Sequence, residues 1–253
     1  MNWIGLWTLT SREVGRFFKV YRQTVIPGLI SSVLYILIFG FTLEQRISSI
    51  EGISYTIFII PGLIMMNTLT NASSNPSSSL LQMKLTGQGP DLMQAPLSSL
   101  EISLAFIVGG VVRGVVNGIL ILLIGMWIGG MEVLYPIATI GFIFVVSIAF
   151  SSMGLLLGQL ADTWDQLATM QNFFLTPLSF LGGIFYSVNM LPDWAQTISA
   201  FNPIYYMING LRYTTLGFSD SDPQYSFVIA LLMSIGLSFI AIFSMKSGKK
   251  MKQ

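Results

Sequence analysis

Long apolar runs separated by short polar segments are the main pattern of the sequence. A helix that crosses the hydrocarbon core of a bilayer needs about 20 mostly apolar residues. Five runs reach that length, at approximately residues 24–43, 54–72, 102–129, 133–160 and 227–245. A sixth, at about 167–188, contains Pro177 and Gly182–Gly183, which membrane helices tolerate when neighbouring groups satisfy the freed backbone. The pattern predicts an all-α polytopic membrane protein with six transmembrane helices, forming one transmembrane domain over residues 1–253.

The segment before the first run, residues 1–23, has the periodicity of an amphipathic helix. Its apolar side chains share one face: Trp3, Leu6, Trp7, Val14, Phe17, Phe18 and Tyr21. Arg12, Arg16 and Lys19 fall on the opposite face. This arrangement predicts a helix in the membrane surface. It serves either as a simple anchor or as a helix that also contacts a cytoplasmic partner.

A short helix is expected in the loop between the second and third runs, within residues 84–98. The small polar stretch 71–79 is predicted to begin this loop, and Gly87 and Gly89 disfavour a continuous helix further on. Pro90 suits a first helical position, Asp91 suits the first turn, and Pro96 stops the helix. The segment is either a connector or a site that docks a soluble subunit.

Residues 189–217 do not form a run that spans a bilayer. They contain two half-length helical segments that begin near Pro192 and Pro203. Such pieces enter a membrane only where protein or water covers their backbone ends. We expect a re-entrant hairpin at the outer face, and the alternative is a long surface loop.

Composition and charge support a membrane protein. Hydrophobic residues make up 53% of the chain and charged residues 9%, with a mean hydropathy of +0.72, which excludes a soluble domain. The net charge of +1 gives no reason to expect nucleic acid as a partner. Eight of the 12 cations flank the first and last runs: Arg12, Arg16, Lys19, Arg22, Lys246, Lys249, Lys250 and Lys252. Because cytoplasmic segments are enriched in Lys and Arg, both termini are predicted to be cytoplasmic.

One cation, Arg113, lies inside the third run, where it needs a partner or a wet cavity. It is either bonded within the helix bundle or placed on a path for an anionic or polar substrate. Gly110, Gly114 and Gly118 recur at every fourth position beside it, which favours close helix packing.

Several chemistries are missing from the sequence. There is no Cys and no His, so thiolate nucleophiles, imidazole bases and most transition-metal sites are excluded. The phosphate-binding pattern G-x-x-x-x-G-K-[ST] does not occur, and no predicted span has a central Asp or Glu. We therefore expect no catalytic residues, no metal and no directly bound cofactor. The chain is not an enzyme by itself, and any motor is a separate polypeptide.

The order and spacing of five segments resemble the membrane permease subunits of type-2 ABC exporters, in particular the bacterial inner-membrane permeases of the YadH type. The segments are FIIPGLIMM (58–66), DLMQAPL (91–97), GGVVRG (109–114), LTPLSFLGGIFYS (175–187) and NPIYYMINGLRY (202–213). The resemblance implies a homodimer in the bacterial cytoplasmic membrane that exports a substrate. It also implies two copies of a separate ABC ATP-binding subunit, which bind ATP and Mg.

By position, the resemblance assigns a coupling helix that contacts the ATP-binding subunit. Its residues are Gln88, Gly89, Pro90, Asp91, Leu92, Met93, Gln94 and Ala95. Arg12 and Arg16 would flank the ATP-binding subunit, and Lys84 is the one cation near this loop, which makes the loop poorer in cations than is usual in the family.

The substrate path would lie at the seam of the dimer. Its candidate residues are Arg113, Tyr35, Phe39, Phe173 and Phe174. These aromatic residues can equally be ordinary core or lipid-facing groups. Substrates of the family range from drugs to glycolipids and polysaccharides, and the sequence does not choose among them. The alternative function is a stand-alone secondary transporter or channel.

Overall fold

The computed structural model describes residues 1–44, 46–47 and 49–247, except for the side chains of Met93 and Ser247. Within these residues the fold is all-α, as predicted. The α-helices are α1 (Trp3–Lys19), α2 (Tyr21–Thr24), α3 (Ile26–Tyr35), α4 (Thr42–Glu44), α5 (Tyr55–Leu85), α6 (Gly89–Gln94), α7 (Ser99–Gly129), α8 (Pro136–Leu160), α9 (Trp164–Leu181), α10 (Asp193–Ala200), α11 (Pro203–Leu216) and α12 (Pro223–Ser247). A π-helical segment (Ile36–Phe41) joins α3 to α4, and a 3-10 turn (Val188–Met190) precedes α10.

Two short strands lie between α4 and α5. β1 (Ser49–Ile50) pairs antiparallel with β2 (Ile53–Ser54), so that Ile50 is opposite Ile53. The turn between the strands uses left-handed backbone at Gly52, with φ of 78°.

Five segments of the described chain are long and apolar enough to cross a membrane: Tyr21–Glu44, Tyr55–Leu85, Ser99–Gly129, Pro136–Leu160 and Pro223–Lys246. They correspond to the five clear runs of the sequence. The sixth run corresponds to α9, whose 18 residues begin with the polar segment Trp-Asp-Gln and do not meet the same criterion. The count of six spans therefore stays a prediction.

α5 is longer than the sequence pattern predicts. The second span was expected to end near Ala72, but the helix continues to Leu85 and includes Pro76. Serine and threonine side chains in this half bond back to the preceding turn, as Ser77 Oγ does to Ser73 O at 2.8 Å. The small polar residues are buried against other helices, so they belong to the bundle. The loop predicted at this point is correspondingly shorter.

α5 lies at the centre of the bundle, between α7 and α8. The close approach depends on small residues in α7. A Cβ atom added to Gly114 would lie 2.8 Å from Ala72 Cβ and 2.8 Å from Ser147 Oγ. The glycine stripe of α7 thus packs against helices of the same chain, which confirms the packing interpretation.

One end of the bundle gathers α6, the start of the chain and the last described turn of α12. Asn2 N donates a hydrogen bond to the Glu101 carboxylate at the start of α7. Lys84 Nζ, at the end of α5, donates to Ala161 O after α8 at 2.6 Å. Lys246 lines a small pocket together with Ser98, which precedes α7. We name this end the α6 end.

The opposite end contains the end of α11 and the start of α8, where Tyr135 N donates to Thr214 O at 2.9 Å. Both terminal cation clusters were predicted to face the same compartment. The compartment that these clusters face stays a prediction, and Lys246 is the last described member of the second cluster. Lys249, Lys250 and Lys252 lie outside the described residues.

α10 and α11 fold back along the end of α9. Asn202 Nδ2, between α10 and α11, donates to Leu178 O at 2.6 Å, and Ser199 Oγ donates to Leu181 O at 3.1 Å. The breaks predicted at Pro192 and Pro203 coincide with the starts of α10 and α11. Re-entry of this pair into a membrane stays a prediction.

Candidate coupling surface and transport path

A cleft of about 520 Å³ opens at the α6 end between α1 and α6. We name it the α1–α6 cleft. Its lining residues come from α1 and its cap, from the end of α5, and from α6 with its flanks: Asn2, Gly5, Thr8, Leu9, Arg12, Met83, Gln88, Asp91, Leu92, Ala95, Pro96 and Leu97.

Local sequence explains how α6 is formed and held. A proline lies in its first turn, and the Asp91 carboxylate there complements the helix dipole. Leu92 is only 6% exposed and belongs to an apolar cluster with Leu9 and Met83. Burial of such a side chain contributes ~1.5–3 kcal/mol, so α6 is fixed to α1 and α5.

A capping box fixes the start of α7 directly after α6. Ser98 Oγ accepts from Glu101 N at 3.3 Å, and Glu101 Oε2 accepts from Ser98 N at 2.7 Å. The same carboxylate accepts from Asn2 N. Because Asn2 also caps α1, the starts of α1 and α7 are joined beside α6.

The structure brings together five of the residues predicted to contact an ATP-binding subunit. Arg12, Gln88, Asp91, Leu92 and Ala95 all line the α1–α6 cleft. Of these, Arg12, Gln88 and Asp91 are exposed, so a partner at this end can reach them.

The other predicted coupling residues of α6 lie around the cleft. Pro90 and Gln94 are exposed on α6, whereas Gly89 is buried. The backbone of Met93 belongs to α6, and its side chain lies outside the described part of the chain. A contact of these residues with a partner stays a prediction.

Arg16 does not share the cleft. Its Nη2 donates to Asn75 O at 2.6 Å and to Asn75 Oδ1 at 3.2 Å, so the guanidinium faces α5. Burial lowers the pKa of Arg16, against the opposing effect of Glu13, whose Oε2 lies 3.7 Å from Arg16 Nε. These contacts hold α1 on α5. The role of Arg16 beside an ATP-binding subunit stays a prediction.

Glu13 is a buried acid that the sequence analysis missed. It packs on α7 at Gly109, where an added Cβ would lie 2.8 Å from Glu13 Cβ. Burial raises the pKa of Glu13, against smaller opposing effects of Ser79, Arg16 and Arg12. The available signal was its spacing with Leu9 and Phe17, four residues to either side, because all three are buried on one face of α1.

Arg113 lies in the middle of α7 and is half-buried. Its Nε donates to Asn71 Oδ1 of α5 at 3.0 Å. One turn earlier in α5, Asn67 Nδ2 donates to Ser32 Oγ of α3 at 2.8 Å. Arg113 of α7 therefore contacts a row of polar side chains of α5, which also contacts α3.

Two of the four predicted path aromatics belong to one cluster. The ring centroids of Tyr35 and Phe39 lie 5.7 and 5.1 Å from that of Phe185, which follows α9. Phe173 and Phe174, on α9, are 76% and 53% exposed and lie outside this cluster. The structure does not bring the two pairs together within one chain.

A buried ion pair joins α11 to the segment before α12. Arg212 Nη1 lies 3.4 Å from Asp220 Oδ2, and neither side chain is exposed. Arg212 Nη2 donates to Gly183 O at 2.8 Å, and its guanidinium lies 4.0 Å above the Phe58 ring. Asp220 Oδ1 accepts from Ser187 Oγ at 2.6 Å.

The sequence analysis missed this pair, because Asp220 lies between two helices, where a carboxylate is ordinarily solvated, whereas here it is buried under Arg212. The signal that could have found it was an Arg in a half-length apolar helix, followed eight residues later by an Asp. In the described part of the chain, no group of three or more acidic, His or Cys residues could hold a metal ion.

Comparison with known proteins agrees with this architecture. Residues 5–216 match the ABC-2 type transporter family, and the chain belongs to that family. It is 35% identical to the inner membrane transport permease YadH of Escherichia coli K12, over 100% of this chain and 98% of the relative. It is also 25% identical to nodulation protein J of Rhizobium leguminosarum bv. viciae, over 86% of this chain and 83% of that protein. The resemblance found in the sequence motifs is thereby confirmed.

Proposed function

We propose that this chain is the membrane permease subunit of an ATP-driven exporter in a bacterial cytoplasmic membrane. Membership of the ABC-2 type transporter family supports this proposal, as does the similarity to a relative named an inner membrane transport permease. Two copies of the chain form the translocation path. Two separate ABC ATP-binding subunits bind ATP and Mg and supply the energy.

The observation that carries the proposal is the α1–α6 cleft. Asp91 and Gln94 are exposed on the surface of α6, while the buried side chain of Leu92 fixes α6 to the bundle. A subunit that moves α6 must also move α1 and α7, because the Ser98–Glu101 capping box and Asn2 join their starts. Closure of the ATP-binding subunits around ATP thus shifts the spans between inward-open and outward-open states.

The orientation follows from the cations. The α6 end carries Arg12, Lys84 and Lys246, which favours the cytoplasm. In this orientation both termini are cytoplasmic and α9 is the sixth span. α10 and α11 form a re-entrant hairpin at the outer face.

The substrate path lies at the seam between two copies. The cluster of Tyr35 and Phe39 lines it, and Phe173 and Phe174 of α9 are exposed enough to contact the second copy. Arg113 is the cationic group of the path. The supporting observation is that α3 and α9 leave large apolar side chains uncovered within one chain.

The test is a pair of glutamine-to-arginine variants in the complex purified with its ATP-binding subunit. Gln94→Arg places a large cation on α6, and Gln224→Arg places the same cation at the opposite end, where Gln224 is also exposed. We expect Gln94→Arg to reduce ATP-dependent export into vesicles, while Gln224→Arg leaves it unchanged.

The result is read by measuring transport and ATP hydrolysis on the same preparation. Unchanged export in Gln94→Arg would show that α6 does not couple the subunits. ATP-independent transport by the chain alone in liposomes would instead support a stand-alone transporter or channel.

A further inference from the structure

Glu13 lies in the middle of the buried face of α1. Leu9 and Phe17, four residues to either side, are buried with it, and no part of Glu13 is exposed. The opposite wall is the backbone of α7, because a Cβ atom added to Gly109 would lie 2.8 Å from Glu13 Cβ. The two helices are therefore in direct contact at a residue that can carry a charge.

The carboxylate of Glu13 has no close partner. Within the described residues, neither of its oxygens accepts a hydrogen bond of ordinary geometry. Arg16 Nε lies 3.7 Å away, but the Nη2 group of the same guanidinium donates to Asn75 O at 2.6 Å, and the Arg16 side chain is 32% exposed. Because a buried ionised carboxylate is costly without hydrogen bonds and a close counter-charge, this environment favours the neutral form.

The other charges around Glu13 do not compensate for its burial. Apart from Arg16, the charged residues of α1, α2, α5, α7 and α12 are Arg12, Lys19, Arg22, Lys84, Glu101, Arg113 and Lys246. None of them forms an ion pair with Glu13. Arg12 acts on Glu13 from an exposed position, where water and salt screen its charge. Burial therefore dominates, and it raises the pKa of Glu13.

A proton on Glu13 would remove the buried charge and add a hydrogen-bond donor. Ser79 of α5 is buried close enough to act on Glu13, and within the described residues its Oγ has no hydrogen-bond partner. A neutral carboxyl group has an O–H that can donate to such an oxygen. The packing of α1 on α5 and α7 therefore fits protonated Glu13 better than ionised Glu13.

We propose that Glu13 is a proton switch that determines how firmly α1 is held on the bundle. With the proton bound, α1 stays packed against Gly109, and when the proton leaves, α1 loosens from α7 so that the carboxylate reaches water. Leu9 and Arg12 line the α1–α6 cleft, so this movement shifts one wall of the cleft. The switch stands without the proposed function, whereas control of export by cytoplasmic pH rests on it.

The direction of the pH dependence follows from the burial. Packed α1 binds the proton more tightly than α1 in water does. The packing is therefore strongest below the ordinary glutamate pKa of 4.5 and weakens as the pH rises above that value. One linked proton changes the packing equilibrium by at most about tenfold per pH unit.

The test measures how fast a thiol on the buried face of α1 reacts. The chain has no native Cys, so Leu9→Cys provides a single buried thiol and Ser11→Cys a single exposed one. Maleimide labelling of the purified full chain is measured in a neutral maltoside detergent between about pH 5 and pH 8. The ratio of the buried to the exposed rate corrects for the pH dependence of the thiol reaction. We expect this ratio to rise with pH.

Two variants in the labelled backgrounds identify the titrating group. Glu13→Gln is expected to abolish the rise of the ratio, because glutamine does not titrate. Asp165→Asn removes an exposed carboxylate on α9 and is the matched control, which is expected to keep the pH dependence of the parent. A ratio that does not change with pH, or a rise that persists in Glu13→Gln, would overturn the proposal.

Hydrogen exchange of the parent protein covers the case in which Leu9→Cys does not fold. α1 has 17 residues, and helices of about 12–15 residues are marginal in water without packing, so a loosened α1 should lose amide protection. After correction for the intrinsic exchange rate, the protection of α1 is expected to fall relative to that of α8 as the pH rises. Equal changes in α1 and α8 would contradict the switch. Neither measurement needs an ATP-binding subunit, so failure of the switch is distinguishable from failure of the transport proposal.

Discussion

Replacing Asp220 by asparagine removes the counter-charge of Arg212 and keeps the shape of the side chain. Arg212 would then be a fully buried cation whose remaining partners are the Gly183 carbonyl, the Asn209 amide and the Phe58 ring. Removing one partner of a buried ion pair costs about 3–5 kcal/mol. Since proteins are stable by about 5–15 kcal/mol, we expect a large fraction of the folding free energy to be lost.

The matched control is Asp222→Asn. Asp222 is exposed and its Oδ1 accepts from Gln224 N at 2.9 Å, an interaction that asparagine can keep. Its effect on the free energy of unfolding is expected to stay within about 0.5 kcal/mol. The double variant Arg212→Met with Asp220→Leu should cost less than the sum of its single changes, because it leaves no unpaired buried charge.

The assay is unfolding in mixed micelles with increasing dodecyl sulfate, followed by the fluorescence of the five Trp residues. The free energy of unfolding is compared among the parent, Asp220→Asn and Asp222→Asn. If Asp220→Asn lowers it no more than Asp222→Asn does, the ion pair does not hold α11 to the segment before α12, and the expected role of Asp220 is refuted.

Three further changes test other parts of the structure by the same unfolding assay. Glu13→Gln should stabilise the protein at neutral pH and lose this advantage below about pH 4.5. Burial raises the pKa of Glu13, so the folded protein binds the carboxyl proton more tightly and the parent protein loses stability as the pH rises above 4.5. Equal stability of the two proteins across that pH range would contradict the burial of a charged carboxylate. Gly114→Ala should destabilise by about 1–3 kcal/mol through contact with its neighbours. Gly141→Ala, with nothing within 4 Å of the added Cβ, should be neutral or stabilising, and equal effects would argue against tight packing at Gly114. Lys84→Met should cost about 1–3 kcal/mol because the carbonyls of Gln159 and Ala161 at the end of α8 lose their donor. An unchanged free energy of unfolding would show that Lys84 does not tie α5 to α8.

The parts of the fold that follow from local pattern were predictable. Five spans came from the lengths of apolar runs, and α6 came from Pro90, Asp91 and Pro96, whose effects are local. The extension of α5 was not predictable, because a stretch rich in Ser and Asn is typical of a loop unless neighbouring helices bury it.

Contacts between segments that are distant in sequence account for the features that could not be predicted. Arg16 looked like a surface cation by helical periodicity, yet it reaches Asn75, 59 residues away in sequence. The partner of Arg212 was hidden in a loop for the same reason. For the candidate site, the sequence predicted the residues of α6, and only the structure shows that α1 forms the other wall of the cleft.

The central claim is that a separate ATP-binding subunit drives this chain through α6. Because the chain has no native Cys, a single cysteine can be placed at Gln94 on α6 or at Glu132, which is exposed at the opposite end. The measurement is cysteine cross-linking in membranes that contain the assembled complex. We expect a cross-link between Gln94→Cys and the ATP-binding subunit, with none from Glu132→Cys. A cross-link from Glu132→Cys and none from Gln94→Cys would contradict coupling through α6.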